Sequence, residues 1–253
     1  MSDTYRGSAQ YYDLAPVYQE RADKDFYLAR AREVQGPVLE LGCGTGRILA
    51  PIAEAGVDIT GLDASPAMLD ICRDRLQSAG LTVPLVLGDI RSFDLGRQFA
   101  LITIPFRPFQ HLLDPPDQIA CLATVRRHLA PGGRLILDVF DPKMEGVLIK
   151  DGTEFVEFDF TSHDGRPMQR SIRRLRHDRP RQVLEMEMIF IDKATGERTT
   201  APLTMRYFFR YEMEHLLTRC GFQVQEVLGD FDGSPVGLEA RELIFTSVAL
   251  SQQ

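Results

Sequence analysis

The chain lacks the features that would place it in a membrane, outside the cell or around a structural metal. No stretch approaches the ~18 consecutive apolar residues of a membrane-spanning helix, and residues 1–21 are largely polar, which predicts no signal peptide. The four cysteines, at positions 43, 72, 121 and 220, stand singly, without the spacing of a disulfide framework or a zinc site. We therefore expect a cytoplasmic protein with no membrane partner.

An excess of positive charge is also missing. The formal net charge is -7, and only the residues at positions 24, 143, 150 and 193 are lysine. Nucleic acids are bound largely through their phosphates, which requires a basic surface on the protein. The charge balance therefore argues against a nucleic-acid partner.

What the chain does have, between residues 37 and 141, is a regular alternation of short apolar strands with helices. We predict strands at 37–41, 58–62, 83–87, 99–104 and 134–140, and a helix near 116–129. This alternation is typical of a doubly wound parallel sheet in an α/β protein. The length of 253 residues, 44% of them hydrophobic and 26% charged, predicts one globular core with an elaboration.

The pattern changes after residue 150. Residues 155–160, 182–192 and 203–210 alternate apolar with polar side chains, which predicts an antiparallel β meander. A helix near 211–220 and strands at 222–228 and 242–249 follow, so the meander is inserted and not appended. We predict an N-terminal helical lid (1–36), a Rossmann-like core (37–150 and 211–253) and an inserted sheet (151–210). The arginines at 170, 173, 174 and 176 form one run. Alternation puts those at 170 and 174 on one face and that at 173 on the other, so not all can line a pocket, and a solvated, salt-bridged face is predicted.

The segment Val38–Arg47 runs an apolar strand into glycines at 42, 44 and 46 and then opens a helix. Glycines permit backbone dihedrals closed to other residues, and they let a ligand approach the main chain where a Cβ would block it. Counted from Glu40, the spacing is E-x-G-x-G-x-G, which differs from the G-x-G-x-x-G fingerprint of dinucleotide sites. The loop therefore predicts a nucleotide-like ligand, with a nicotinamide dinucleotide disfavoured.

Acidic residues end the next two predicted strands. Ligands of open α/β sheets bind outside the carboxyl ends of strands, where Asp63 can accept hydrogen bonds from both hydroxyls of a ribose. The alternative role of a helix cap already belongs to Ser65, which precedes Pro66. Asp89 follows Gly88 at the end of the third strand, where an Asx-turn is the alternative.

Together with the run Leu-Ala-Pro-Gly-Gly-Arg at 129–134, these motifs make residues 37–141 resemble class I S-adenosylmethionine (SAM) methyltransferases. The resemblance implies SAM as cofactor, with Asp63 on the ribose, Asp89 on the adenine amine and Ile90 on the ring, in a seven-stranded sheet whose last strand is antiparallel. A carboxylate such as Glu40 would repel a pyrophosphate but suits the cationic amino group of a methionine moiety. The residues so assigned to the cofactor are Tyr11, Glu40, Gly42, Cys43, Gly44, Gly46, Asp63, Ala64, Met68, Gly88, Asp89, Ile90, Ile104 and Phe106.

The end of the fourth strand, running to His111, faces the transferred methyl group in the family that the chain resembles. It lacks the Asn/Asp-Pro-Pro-Tyr/Phe signature of enzymes that methylate adenine bases or glutamine. Arg107 is placed to pair with an acidic acceptor, or equally is a solvated loop residue. Phe109 is a further candidate acceptor contact. His111 is the best-placed candidate base, although local packing is its more frequent role.

Tyrosines at 11, 12 and 18 are candidates for the lid. The spacing of Tyr11 and Tyr18 puts them on one side of a helix. In the glycine N-methyltransferases and amino-sugar N,N-dimethyltransferases that the chain resembles, an N-terminal segment closes over the site and often brings a tyrosine near the methionine end. Tyr18 is therefore a second catalytic candidate and Tyr12 an acceptor contact, the alternative being aromatic anchors of a loose terminus. Arg206 and Arg210 of the meander are predicted to contact the acceptor or a homodimer partner.

The sequence thus favours a SAM-dependent methyltransferase acting on nitrogen or oxygen of a small-molecule acceptor, with nitrogen ahead because of the resemblance. Two alternatives stay open: a nicotinamide-dependent oxidoreductase on a similar sheet, and a protein that binds SAM without turnover. No metal is expected. Asp114 and Asp117, which follow the fourth strand, are predicted to cap a helix and not to ligate a cation.

Overall fold

Within the residues that the structure describes, the chain forms two β-sheets, of which the larger carries helices on both faces. The structure is a computed structural model that describes residues 8–19 and 21–250. Residues 1–7 and 20 of the predicted lid, and residues 251–253 of the predicted core, lie outside the described residues. Both the doubly wound sheet and the inserted antiparallel sheet are confirmed.

The larger sheet has seven strands in the spatial order β10-β11-β5-β4-β1-β2-β3. Its strands are β1 (Val38–Leu41), β2 (Ile59–Asp63), β3 (Leu85–Leu87), β4 (Phe99–Ile104), β5 (Leu129–Phe140), β10 (Phe222–Leu228) and β11 (Glu242–Ala249). β11 pairs antiparallel with both β5 and β10, as the sequence predicts for the last strand. The chain places β2 and β3 on one side of β1, then crosses to place β4 and β5 on the other. The gap between β1 and β4 is thus the switch point, where sheets of this kind bind ligands.

Helices bury their apolar faces on the two sides of this sheet. They are α3 (Asp23–Arg32), α4 (Leu49–Glu54), α5 (Pro66–Ser78), α6 (Pro115–His128) and α8 (Arg210–Arg219). Leu122 and Leu217 join the core on one face, whereas Tyr27 and Cys72 join the core on the other. The predicted cap of α5 is confirmed, because the Ser65 side chain accepts the backbone N–H of Met68 at 3.2 Å.

The smaller sheet is an antiparallel meander of four strands, in the order of the chain. Its strands are β6 (Glu154–Thr161), β7 (Pro167–Asp178), β8 (Val183–Asp192) and β9 (Arg198–Arg206). The solvated face predicted for its arginines is wrong for Arg170 and Arg174, which are buried. Arg174 donates to the carbonyl oxygens of Val147 and Gly146, in and beside the short helix α7 (Met144–Val147). Alternation placed these side chains on one face but could not show that a helix covers it.

Two strand bounds differ from the prediction. β5 begins at Leu129 and not at 134, because residues 130–133 bulge between the pairs Phe99–Leu129 and Leu101–Arg134. β9 ends at Arg206 and not at 210. The alternation continues through Phe209, but Phe209 is the N-cap residue of α8 and its side chain is 47% exposed.

The N-terminal segment is helical in short pieces. α1 (Ala9–Tyr12) and α2 (Pro16–Gln19) precede α3 and are separated by residues 13–15. The prediction that Tyr11 and Tyr18 share one helix is therefore wrong, since Pro16 starts a new helix between them. Within the described part of the chain, no helix is long and apolar enough to cross a membrane.

Candidate active site

The glycine loop joins β1 to the residues before α4 in left-handed turns. Gly42, Gly44 and Gly46 have φ values of 72°, 53° and 77°, which favour glycine. The Gly44 N–H donates to Oδ2 of Asp63 at 2.8 Å. A Cβ on Gly46 would lie 2.6 Å from Sγ of Cys72, whereas one on Gly44 would meet nothing within 4 Å. Gly46 is thus required by packing, and Gly44 leaves the main chain open to a ligand.

Asp63 and Asp89 stand at the ends of β2 and β3, as predicted. Oδ1 of Asp63 accepts the backbone N–H of Ser65 at 2.8 Å, so this carboxylate connects the glycine loop to the start of α5. Asp89 accepts the backbone N–H of Arg91 at 2.9 Å and pairs with its guanidinium at 2.5 Å. The pair holds the pKa of Asp89 below its ordinary value. Asp89 therefore makes an Asx-type turn and also lines the pocket.

Glu40 is the least compensated carboxylate of the site. It is 2% exposed, and Oε2 accepts no hydrogen bond from any residue that the structure describes. Burial raises its pKa well above the ordinary value. A buried oxygen without a donor is costly unless a ligand supplies one. The cationic amino group of a methionine moiety fits this position.

These groups line one pocket of about 380 Å³, which opens over the switch point of the sheet. Its wall combines the loop and strand-end residues with side chains from the N-terminal segment, the end of β4 and the meander. The lining residues include Tyr12, Glu40, Gly42, Cys43, Gly44, Thr45, Arg47, Asp63, Ala64, Met68, Asp89, Ile90, Phe106, His111, Leu112, Pro202 and Thr204.

His111 lies in the wall at the end of a 3-10 helix (Pro108–His111) that follows β4. Its Nδ1 is 3.1 Å from the carbonyl oxygen of Thr204 on β9. A carbonyl oxygen can only accept, so Nδ1 carries the hydrogen and Nε2 is the basic nitrogen of the neutral ring. Burial lowers the pKa of His111 below its ordinary value. The ring is therefore neutral at physiological pH.

The predicted lid residues have separate positions. Tyr12 lines the pocket, with its ring centroid 5.0 Å from that of Tyr18. Tyr18 packs edge-on against Phe106 at 4.7 Å, and its hydroxyl accepts from Nη1 of Arg170 at 3.1 Å. Tyr11 instead packs on the meander, 5.0 Å from the ring of Phe190. The structure thus brings Tyr12 to the pocket wall, places Tyr18 behind it and places Tyr11 away from it.

Several other predicted contacts do not line the pocket. Phe109 is fully buried in the core against Phe208, at a centroid distance of 5.7 Å. Arg107 pairs with Glu242, Arg206 with Glu212 and Arg210 with Glu214, each at 2.7 Å. Ile104 and Gly88 lie beside the pocket and not in its wall. The prediction that Asp114 and Asp117 cap a helix through their side chains is wrong. The carboxylate of Asp114 pairs with Arg181 and that of Asp117 with Arg91, and the Asp114 side chain makes no capping hydrogen bond to α6.

Sequence reasoning missed the charged pairs that join the N-terminal part of the chain to the glycine loop and α5. Arg47, directly after the glycine loop, lines the pocket and pairs through both terminal nitrogens with Asp23 at 2.7 and 2.6 Å. Asp13 joins the N-terminal segment to the loop, accepting from Thr45 at 2.8 Å and from Arg75 at 2.5 Å. Pro202 and Thr204 of the meander complete the wall. No spacing signals these pairs, since their members are far apart in sequence. Nor do the described residues gather three or more His, Cys, Asp or Glu side chains around a possible metal position.

Comparison with known proteins agrees with this geometry. Residues 38–133 match the family model of a methyltransferase domain. The chain is 28% identical over 212 residues to cypemycin N-terminal methyltransferase of a Streptomyces species, covering 82% of this chain and 80% of that protein. It is also 28% identical to dTDP-3-amino-3,4,6-trideoxy-alpha-D-glucopyranose N,N-dimethyltransferase of Streptomyces venezuelae, covering 83% and 84%. The solved structure of the CcbJ methyltransferase from Streptomyces caelestis superposes with a TM-score of 0.85 at 26% identity, covering 98% of both chains.

These similarities support a class I SAM-dependent methyltransferase, whose methyltransferase domain matches residues 38–133. Similar proteins have been solved with SAM bound, and SAM is the cofactor of this class. The residues present fit SAM, because one pocket combines three features. Its wall contains the main chain at Gly44, which a ligand can approach, and the carboxylates of Asp63 and Asp89. It also contains Glu40, whose Oε2 accepts no hydrogen bond from the described residues. The nicotinamide alternative is set aside. The individual contacts assigned to SAM in this methyltransferase stay predictions.

Proposed function

We propose that this methyltransferase transfers the methyl group of SAM to an amine nitrogen of a small molecule. The names of two relatives support nitrogen, since one acts on an N-terminus and the other is an N,N-dimethyltransferase of an amino sugar. Both acceptors present an aliphatic amine. We carry over to this chain only the aliphatic amine that the two acceptors share. The rest of either substrate is not part of the proposal.

The observation that carries the proposal is His111 in the wall of the pocket, with its Nδ1 3.1 Å from the carbonyl oxygen of Thr204. His111 lies in the pocket wall beside Thr204, in the segment after β4, whereas Glu40 and Asp63 line the same pocket from the ends of β1 and β2. An aliphatic amine is protonated at neutral pH and must lose a proton to expose its lone pair. A neutral imidazole with a lowered pKa can take that proton, whereas an already charged one cannot.

When bound, SAM supplies an electrophilic methyl group on a sulfonium, and attack in line with the breaking carbon–sulfur bond leaves a neutral thioether. The chain's own residues mainly position the reactants. Asp63 would hold the ribose of the cofactor and Glu40 the amino group of its methionine moiety, and Tyr12 with Phe106 keeps water from the pocket. Nε2 of His111 holds the proton that the amine releases. Proximity and orientation can supply ~7 kcal/mol or more of the barrier in such reactions, so most of the acceleration needs no catalytic group.

The test is transfer of label from methyl-labelled SAM to a panel of small amines, with the alcohol of the same skeleton as the matched control for each. We expect label in amines but not in the paired alcohols, and equal rates in buffer containing EDTA. Label confined to alcohols or phenols would overturn the nitrogen assignment. Activity restored only by added magnesium would contradict the metal-free transfer and point to a catechol-like acceptor.

A further inference from the structure

Two consecutive residues after β4 adopt left-handed backbone conformations without being glycine. Phe106 has a φ of 60° and Arg107 a φ of 77°. Such conformations are unfavourable for residues with a Cβ and persist only where surrounding contacts hold them. The turn lies at the end of the strand beside the switch point, and Phe106 forms part of the pocket wall.

Asp138 on β5 is the group that holds this turn. Its Oδ1 accepts the backbone N–H of Phe106 at 2.9 Å and the hydroxyl of Tyr27 at 2.6 Å. Asp138 and Tyr27 are both fully buried. The second residue of the turn is held separately, because the Arg107 guanidinium pairs with Glu242 at 2.7 Å.

Charged groups from several elements face Asp138. Arg21 is 3.5 Å from Oδ2 and also contacts Glu242 of β11 at 2.8 Å and Asp23 of α3 at 2.9 Å. Tyr27 of α3 donates the hydrogen bond described above. Burial and, more weakly, Glu242 raise the pKa of Asp138 to about 6, while Arg21 opposes that rise. A carboxyl of this kind titrates near neutral pH although it is closed to solvent.

The turn fixes an aromatic ring where three parts of the molecule meet. The Phe106 ring lies 4.7 Å from that of Tyr18 and 6.2 Å from that of Tyr12, and the Arg47 guanidinium lies over it at 5.2 Å. A shift of this turn would move the wall between the N-terminal segment and the glycine loop. It would leave Asp63 and Asp89 in place, since they belong to other strands.

We propose that Asp138 is a positioning residue for methyl transfer: it sets the left-handed Phe106–Arg107 turn and so holds the Phe106 ring against the lid tyrosines at the transfer side of the pocket. The role of Asp138 in methyl transfer rests on the proposed function. Its role in holding the Phe106–Arg107 turn does not.

The catalytic test compares three variants with the parent. Asp138→Ala removes the acceptor for the Phe106 N–H, Asp138→Asn keeps an acceptor oxygen there, and Asp141→Asn changes a partly exposed carboxylate three residues along the chain that pairs with Lys143. We expect kcat to fall about ten- to a hundredfold in Asp138→Ala with the Kd for SAM unchanged, because misplacement of a reacting partner costs rate. Asp138→Asn should recover most of kcat, and Asp141→Asn should match the parent. Equal loss of kcat in both Asp138 variants, or loss of SAM binding in step with kcat, would overturn the positioning role.

The conformational test needs no acceptor. In the parent, the amide resonance of Phe106 should titrate with a midpoint close to 6, the pKa of Asp138, and should cease to do so in Asp138→Asn. Contacts between the Phe106 and Tyr18 rings in nuclear Overhauser spectra should persist in that variant. Should Asp138→Ala fail to fold, Tyr27→Phe removes only the hydroxyl and should displace the midpoint. Contacts between the Phe106 and Tyr18 rings that are as strong in Asp138→Ala as in the parent, or that are lost in Asp138→Asn, refute the inference. Absence of any methyl transfer by the parent refutes the proposed function and leaves this result standing.

Discussion

Three carboxylates end the three adjacent strands β1, β2 and β3, and each has a different set of partners. Asp63 accepts hydrogen bonds from two backbone N–H groups, and Asp89 forms an ion pair with Arg91. One oxygen of Glu40 accepts no hydrogen bond from the described residues. A carboxylate that is already satisfied gains less from a new donor than one that is not. Of the three, Glu40 is therefore the carboxylate that we expect to gain most from a donor on the cofactor.

His111 leads to a prediction about pH. Since burial lowers its pKa below 6.5, the neutral base persists as the pH falls to that lowered value, and kcat/KM should decline only below it. His111→Asn should lower turnover without abolishing it, by on the order of a hundredfold, and should remove this acidic limb. The measurement is a pH profile of kcat/KM for parent and variant. A small loss with an unmoved profile would show that His111 only packs.

At this scale, the sequence predicts what depends on local chemistry. Glu40 and Asp63 lie at the ends of β1 and β2, and Gly44 and Asp89 come shortly after β1 and β3. The structure places all four in the pocket wall. Arg47 with Asp23, and Asp138 with Tyr27, could not be predicted as pairs, because only the tertiary fold brings their members together. A charged residue that ends an apolar run, as in Leu-Ile-Leu-Asp138, is the one available signal for the second pair.

At the scale of elements, the glycine loop and α5 form one unit around Asp63. Gly44 contributes an open approach to the main chain, and Gly46 admits the side chain of Cys72 on α5. The strands β1, β2 and β4 come close to their predicted bounds because they are short apolar runs ended by Gly42, Asp63 and Pro105. β5 and β9 do not, since a bulge and a helix cap are set by neighbouring strands and by α8.

Gly44→Ala should separate the ligand role of this loop from its backbone conformation. Gly56, in the turn after α4, is the matched control, because both glycines have positive φ and a Cβ on either would meet nothing within 4 Å. Both alanine variants should lose about 1–2 kcal/mol of unfolding free energy to the left-handed conformation. Only Gly44→Ala should weaken SAM binding, as measured by calorimetry beside denaturant unfolding. Equal SAM affinity in both variants would show that no ligand approaches the loop at Gly44.

At the scale of the whole molecule, two sheets enclose one pocket. The larger sheet supplies the cofactor side, and β9 of the smaller sheet supplies Pro202 and Thr204. The meander was predictable from its period-two alternation, but its docking was not, since alternation says nothing about which strand meets the 3-10 helix after β4. This is why Arg206 and Arg210 were the predicted contacts, whereas Thr204 lies in the wall.

Thr204→Leu tests this contribution of the meander. The larger leucine side chain should narrow the pocket beside β9, where we expect the acceptor to bind. The KM for an amine acceptor should then rise about tenfold, while the Kd for SAM stays unchanged. Thr200→Leu is the control, because Thr200 lies four residues earlier on β9, is exposed and does not line the pocket. Steady-state kinetics and SAM calorimetry measure the two effects. A loss of SAM affinity in Thr204→Leu, with no change in acceptor KM, would place the cofactor against the meander.

The most direct test of the SAM assignment is calorimetric titration of the purified chain with SAM, S-adenosylhomocysteine and NADH, repeated for Asp63→Ala. Asp58→Ala is the control, since Asp58 precedes the same strand at its opposite end and pairs with Arg97 on the surface. The parent and the control should bind both sulfur ligands and not NADH, and Asp63→Ala should bind SAM about ten- to a hundredfold more weakly, the expected loss of hydrogen bonds to a charged acceptor. Unchanged SAM affinity in Asp63→Ala, or binding of NADH by the parent, would contradict the assignment of this pocket to SAM.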